Sequence, residues 1–90
     1  IWTLDDNGHL TISGNGAMSH YTYSTKAPWG TAVTKVIVEE GVTRIGAYAF
    51  YGCKSLISIT IGNGITTIGS NAFSECAGLE KIYMLSRKKI

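Results

Sequence analysis

The 90-residue chain has one proline, two cysteines, two histidines and only 16% charged residues. Each scarcity excludes something. No apolar run approaches the ~20 residues that cross a bilayer as a helix, so no helical membrane span is present. Eight Lys and Arg against six Asp and Glu leave a formal charge of +2, too little to hold nucleic acid through its phosphates. The cysteines and histidines contain no Cys-x-x-Cys and no His-x-x-x-His, which removes the usual zinc spacings. No initiating Met and no leader-like segment precede Ile1-Trp2-Thr3-Leu4, already a strand pattern. The expectation is a removed leader or a piece of a longer chain. What is present is an apolar content of 44%, typical of a folded domain, and eleven glycines, which point to many tight turns. A chain this short builds one small domain with a thin core.

The chain is self-similar. Gly41-Val42-Thr43-Arg44-Ile45-Gly46, then Ala49-Phe50, Cys53, Leu56, Ile59 and Ile61, returns as Gly64-Ile65-Thr66-Thr67-Ile68-Gly69, then Ala72-Phe73, Cys76, Leu79, Ile82 and Met84. Every landmark recurs after twenty-three positions, and Val36 and Val38 extend the series backward. A period of this length is the mark of a repeat architecture.

Val36-Ile37-Val38, Ile59-Thr60-Ile61 and Ile82-Tyr83-Met84 are short and rich in β-branched residues, which suits strands. Strands at one phase of a coil stack in parallel about 4.8 Å apart. Alternation then points 36/38, 59/61 and 82/84 inward and Lys35, Ile37, Ser58, Thr60, Lys81 and Tyr83 outward. Gly46 and Gly69 are expected to adopt backbone angles that bulky residues resist, turning the chain off the sheet. The segments around Ala49-Phe50 and Ala72-Phe73 are expected to form a single helical or 3-10 turn. Phe50 and Phe73 would stack as a spine, with Leu56 and Leu79 beside it. One coil cannot cover its own apolar face, so its neighbours must. The expected fold is a solenoid.

The two coils, Val42-x-x-Ile45-Gly46-x-x-Ala49-Phe50-x-x-Cys53-x-x-Leu56-x-x-Ile59-x-Ile61 and its repeat from Ile65 to Met84, resemble the BspA-type leucine-rich repeats of bacterial surface proteins. Where that family often has Pro after the strand, this chain has Glu39 and Gly62. The resemblance implies a leucine-rich-repeat solenoid of short parallel strands. It also implies an extracellular or cell-surface setting, ligand binding or adhesion, and no catalytic residues or cofactor.

Ahead of the coils, Trp2–Leu4 and His9–Ser13 flank Asp5-Asp6-Asn7-Gly8 and form a β-hairpin, Asn-Gly being a preferred turn pair. Leu4, Leu10 and Ile12 share one face; Thr3, His9, Thr11 and Ser13 share the other. The pattern from Ala17 to Thr34 is loose, with Met18, Tyr21, Tyr23, Pro28 and Trp29 as anchors. Relatives of this kind often carry a similar stretch, here Gly14 to Met18 and Pro28-Trp29. The expected division is an N-terminal hairpin cap and loop over 1–33, repeats over 34–85 and a tail over 86–90. The cap shields the core under Val36 and Val38; a ligand pocket on Trp29, Tyr21 and Tyr23 is the alternative.

Little else carries chemistry. Cys53 and Cys76 hold equivalent places in adjacent coils, within disulfide range, yet buried corner thiols that pack and donate weakly to carbonyls are the simpler reading. Such thiols are poor nucleophiles. His9 and His20 sit far from them in sequence. Asp5-Asp6-Asn7 is too short for a calcium loop, Glu39-Glu40 reads as a solvated strand exit, and neither Gly-Asn-Gly has the residues of a phosphate loop. The candidate binding face is therefore Lys35, Ile37, Ser58, Thr60, Lys81 and Tyr83, taking a protein or a glycan. A spacer with no specific ligand is the first rival and a small hydrolase the second, the latter lacking any nucleophile and base. Ile82, Met84 and Leu85 form an apolar edge with only Ser86 to Ile90 after it, so further coils or self-association are expected there. Arg87-Lys88-Lys89 reads as a solvated tail.

Overall fold

The computed structural model describes residues 1–22, 24–25 and 27–84. Tyr23, Leu85 and the 86–90 tail named above lie outside the described residues. Among the described residues eight strands form: β1 (Trp2–Leu4), β2 (His9–Ile12), β3 (Gly16–Ala17), β4 (Lys35–Val38), β5 (Val42–Ile45), β6 (Ser58–Ile61), β7 (Thr67–Ile68) and β8 (Lys81–Met84). They make two sheets. The larger has the order β1-β2-β4-β6-β8, and the smaller β3-β5-β7.

The repeat translates directly into rungs. Val36 pairs with Ile59 and Ile59 with Ile82, all parallel and in register. The backbone completes one winding between each, so the architecture is a leucine-rich-repeat solenoid of parallel stacked strands. At Glu39–Val42 the Val42 N–H donates to the Glu39 carbonyl at 3.1 Å, a tight corner that carries the chain from β4 straight into β5. The second sheet was not expected: the strand assignments cover the hairpin and the runs at 36–38, 59–61 and 82–84, and neither Val42–Ile45 nor Gly16–Ala17 is among them.

The third wall contains no helix among the described residues, and its hydrogen bonds explain why. Ala49, Tyr51 and Cys53 donate their N–H groups within the coil, to Gly46, Tyr48 and Phe50. The alternate residues Tyr48, Phe50 and Gly52 donate instead to Ser70, Ala72 and Ser74 of the next coil, at 2.9–3.0 Å. A helix bonds its interior N–H groups within the same segment. Here half of them are committed to the neighbour, so the wall is a stack of turns.

The glycine expectation needs correcting. Gly46 and Gly69 do not have positive φ; Gly52 does, at 76°, as do Tyr48 and Asn71, both at 57°, and Glu75 at 61°. The left-handed positions are thus 48/71 and 52/75, each repeated at the coil period. Gly46 and Gly69 serve close approach. A Cβ on Gly46 would lie 1.8 Å from the Ser19 carbonyl oxygen, and one on Gly69 2.4 Å from the Ala47 nitrogen. Only glycine lets adjacent backbones come that near.

Burial follows the stack. Val36, Val38, Ile59, Ile61, Ile45 and Leu56 are fully buried, because coils on both sides cover them. Ile82 and Met84 have the same inward phase but are half exposed, as is Ile68 of β7. The aromatic spine forms as expected: Phe50 and Phe73 stack with centroids 5.5 Å apart and planes 12° from parallel. Trp29 extends it on the other side, 5.6 Å from Phe50.

Candidate functional site

The outer face of the larger sheet brings the six candidate residues together. Lys35, Ser58 and Lys81 form one row across β4, β6 and β8, and Ile37, Thr60 and Tyr83 form the next. All six reach the surface, Lys35, Ile37, Lys81 and Tyr83 more fully than Ser58 and Thr60. Neighbouring side chains in a row stand about 4.8 Å apart on a rigid ladder.

The face is wider than the period indicates. β2 runs parallel to β4, pairing His9 with Lys35 and Thr11 with Ile37, and β1 places Thr3 opposite Thr11. The rows therefore read His9, Lys35, Ser58, Lys81 and Thr3, Thr11, Ile37, Thr60, Tyr83. The expected grouping of Thr3, His9 and Thr11 on one face holds, but their membership in the larger sheet was missed. The available signal is the match of Leu10-x-Ile12 to Val36-x-Val38. It sits twenty-six residues away instead of twenty-three, so a fixed-period search passes over it. Leu4 does share a face with Leu10 but stays substantially exposed on the edge strand.

The hairpin that carries His9 is held by Asp5. Its Oδ1 accepts N–H groups from Asn7 at 2.8 Å and His9 at 3.0 Å, and its Oδ2 lies 3.6 Å from His9 Nδ1. The His9 backbone bond, then that of Asn7, holds the Asp5 carboxyl below its ordinary pKa of 3.8. Asp5 is therefore engaged as an acceptor for the turn. His20 lies on a different wall, its Nδ1 accepting from the Ala47 N–H at 2.8 Å. Among the described residues no group of three or more His, Cys, Asp or Glu is arranged to hold a metal ion.

Trp29 is committed to the core. Its indole Nε1–H donates to the Ala49 carbonyl at 3.0 Å, and both Trp2 and Tyr21 meet it edge-on, at 5.9 and 5.7 Å. These three residues and residues 13–17 are among those that line a cleft of about 230 Å³. The two cysteines are thiols. Cys76 Sγ lies 3.0 Å from the Phe50 carbonyl oxygen, and Cys53 Sγ 3.8 Å from that of Gly30. Each thus tethers a corner to the preceding coil. Burial pushes the Cys76 thiol above its ordinary value, which lowers its thiolate population and its reactivity.

A third feature adjoins the rows. Ile37, Thr60 and Gly62 floor a groove of about 350 Å³ that Glu39 and Glu40 border. The two glutamates are exposed, as a solvated strand exit would be, but they also form the rim of a concavity.

Comparison with known proteins agrees with this geometry. Residues 23–90 match the family described as BspA type leucine-rich repeat region (6 copies). The whole chain is similar to a crystal structure of a leucine-rich repeat protein from Eubacterium ventriosum ATCC 27560, with 35% identity and a TM-score of 0.87. That match covers 98% of this chain and 24% of the other, so this chain spans about a quarter of its relative's length. None of the curated proteins matches it. In the described residues no helix is long and apolar enough to cross a membrane. With parallel rungs at the repeat period, a stacked phenylalanine spine and a family match over most of its length, the chain belongs to the BspA-type leucine-rich repeat family.

Proposed function

We propose that the chain is a non-catalytic recognition module, presented outside the cell or on its surface, that binds a protein or glycan through the outer face of its larger sheet. The observation that carries this reading is the in-register ladder of Lys35, Ile37, Ser58, Thr60, Lys81 and Tyr83, widened by His9 and Thr11. Mixed cationic, hydroxyl and apolar side chains at fixed spacing form a pre-organised surface that loses little conformational entropy on binding. Residues 1–33 act as the cap and 34–85 as the repeats. Five strands span roughly 20 Å, so the face is smaller than the ~800 Å² per partner of a stable interface. A single module of this size binds weakly; repetition along a longer array supplies avidity.

The same reading assigns a role to the exposed apolar end formed by Ile68, Ile82 and Met84. Where no further coil covers it, two copies pair there through the edge of β8. Met84→Lys then lowers the association measured by sedimentation, and a wild-type chain that stays monomeric at high concentration removes this part.

Binding of the labelled chain to glycan arrays and immobilised extracellular proteins tests the main proposal, with the variant Ile37→Ala, Thr60→Ala, Tyr83→Ala run in parallel. A hit that the triple variant loses supports recognition by this face. Hits that the variant retains, or none at all, favour the spacer reading.

A further inference from the structure

The groove beside the ladder has features that specify a ligand more narrowly than the face as a whole. Its floor is the side chain of Ile37, the methyl-bearing Thr60 and the bare backbone of Gly62. Gly62 lets the two coils close up beneath it, because a Cβ there would sit 2.6 Å from the Val38 carbonyl oxygen. Its border is Glu39 and Glu40, which form no ion pair in the described residues.

Nothing in the fold requires this charge. One coil on, the equivalent positions are Gly62 and Asn63, and across β2 the chain continues as Ser13-Gly14, so the acidic pair is not part of the repeat. The cation on the same strand, Lys35, is at its far end, about 13 Å away at strand rise. That exceeds the ~8 Å screening length of physiological salt. The other nearby cation in sequence, Arg44, is turned to the Met18 carbonyl, which it meets from Nη2 at 2.8 Å and Nε at 3.2 Å. The result is an apolar trough bordered by two exposed glutamates, four or five residues from the cation on its own strand.

An apolar stem carrying a positive head matches that surface: the methylenes lie on Ile37, Thr60 and Gly62, and the head reaches the carboxylates. At about 350 Å³ the groove is at the small end of ligand sites and suits one or two side chains. We infer that it takes a Lys or Arg side chain from an extended peptide segment of a protein partner, an inference that rests on the outer face being a recognition surface.

The test is a titration of the ¹⁵N-labelled chain with the capped pentapeptide Ser-Val-Lys-Val-Ser, and with counterparts carrying norleucine or glutamate at the centre. The lysine peptide is expected to shift the amides of Ile37, Thr60 and Gly62 and to bind about fivefold more tightly than the norleucine peptide. Raising salt from about 0.05 to about 0.5 M should erase most of that difference, as should the double variant Glu39→Gln, Glu40→Gln. Equal binding of the lysine and norleucine peptides overturns the inference, as does a preference that survives the double variant or the added salt. Should the double variant misfold, the wild-type comparisons still decide. Shifts confined to Lys35, Ser58 and Lys81, with Gly62 unmoved, defeat the groove while leaving the wider face as a recognition surface.

Discussion

Gly46 lies directly against Ser19 of the preceding coil, so close that a Cβ on Gly46 would stand 1.8 Å from the Ser19 carbonyl oxygen. The opposing atom is backbone and cannot swing aside as a flexible side chain would. Gly46→Ala therefore has to push two coils apart. The expected loss is about 3 kcal/mol or more, at the upper end of overpacking effects. Gly52→Ala makes the contrast: φ is positive but nothing lies within 4 Å of the added carbon. Its coil equivalent Glu75 already adopts this conformation, so the cost should be about 1 kcal/mol. Urea denaturation of the two variants distinguishes them, and equal midpoints would refute the close-approach argument.

The spine predicts a graded series. Phe50 is fully buried, whereas Phe73 is only partly covered. Phe50→Ala should lose about 3–5 kcal/mol as a core cavity, and Phe73→Ala appreciably less. Trp29→Phe keeps an aromatic ring but removes both the donor to Ala49 and part of the buried indole, and should lose about 2 kcal/mol. Thermal or urea unfolding gives the order; a Phe73 effect as large as that of Phe50 contradicts it.

Cys76 links burial to alkaline stability. Its pKa is raised in the folded chain above the ordinary 9.0, so the unfolded chain loses its proton first as pH rises. This contribution is intact below pH 9.0 and is lost as pH climbs through the folded value. Cys76→Ser should flatten that part of the alkaline stability profile relative to wild type. Alkylation by iodoacetamide at pH 8 should be slower in the folded chain than after unfolding in urea; equal rates would contradict the burial.

Asp5 has the opposite sign. Its carboxyl is held below 3.8 by bonds from the His9 and Asn7 N–H groups, so its support of the hairpin is present above that value and is lost as pH falls through the lower folded one. The amide shifts of Asn7 and His9 should titrate together with a midpoint under 3.8, and Asp5→Asn should abolish that transition. A midpoint at or above 3.8 is the contrary result.

Much of this was legible along the chain. The stacking of Phe50 on Phe73, the parallel rungs and the outward set from Lys35 to Tyr83 all follow from one period. A solenoid repeats its contacts wherever it repeats its residues. Residues that break the period were harder to place. Trp29 heads the spine from twenty-one residues before Phe50, and β2 joins the sheet at an offset of twenty-six, because the first coil is longer and a fixed period does not reach it. Glu39 and Glu40 looked like a solvated exit, since a groove exists only once Ile37, Thr60 and Gly62 from two coils lie side by side.

Local pattern was therefore enough for the winding itself, its phase and its inward residues, because alternation and period are properties of neighbouring positions. The turn wall without a helix, the reason for glycine at 46 and 69 and the shape of the outer face depended on how coils approach one another. Their hydrogen bonds and steric contacts join residues roughly one coil apart, and no single coil carries that information alone.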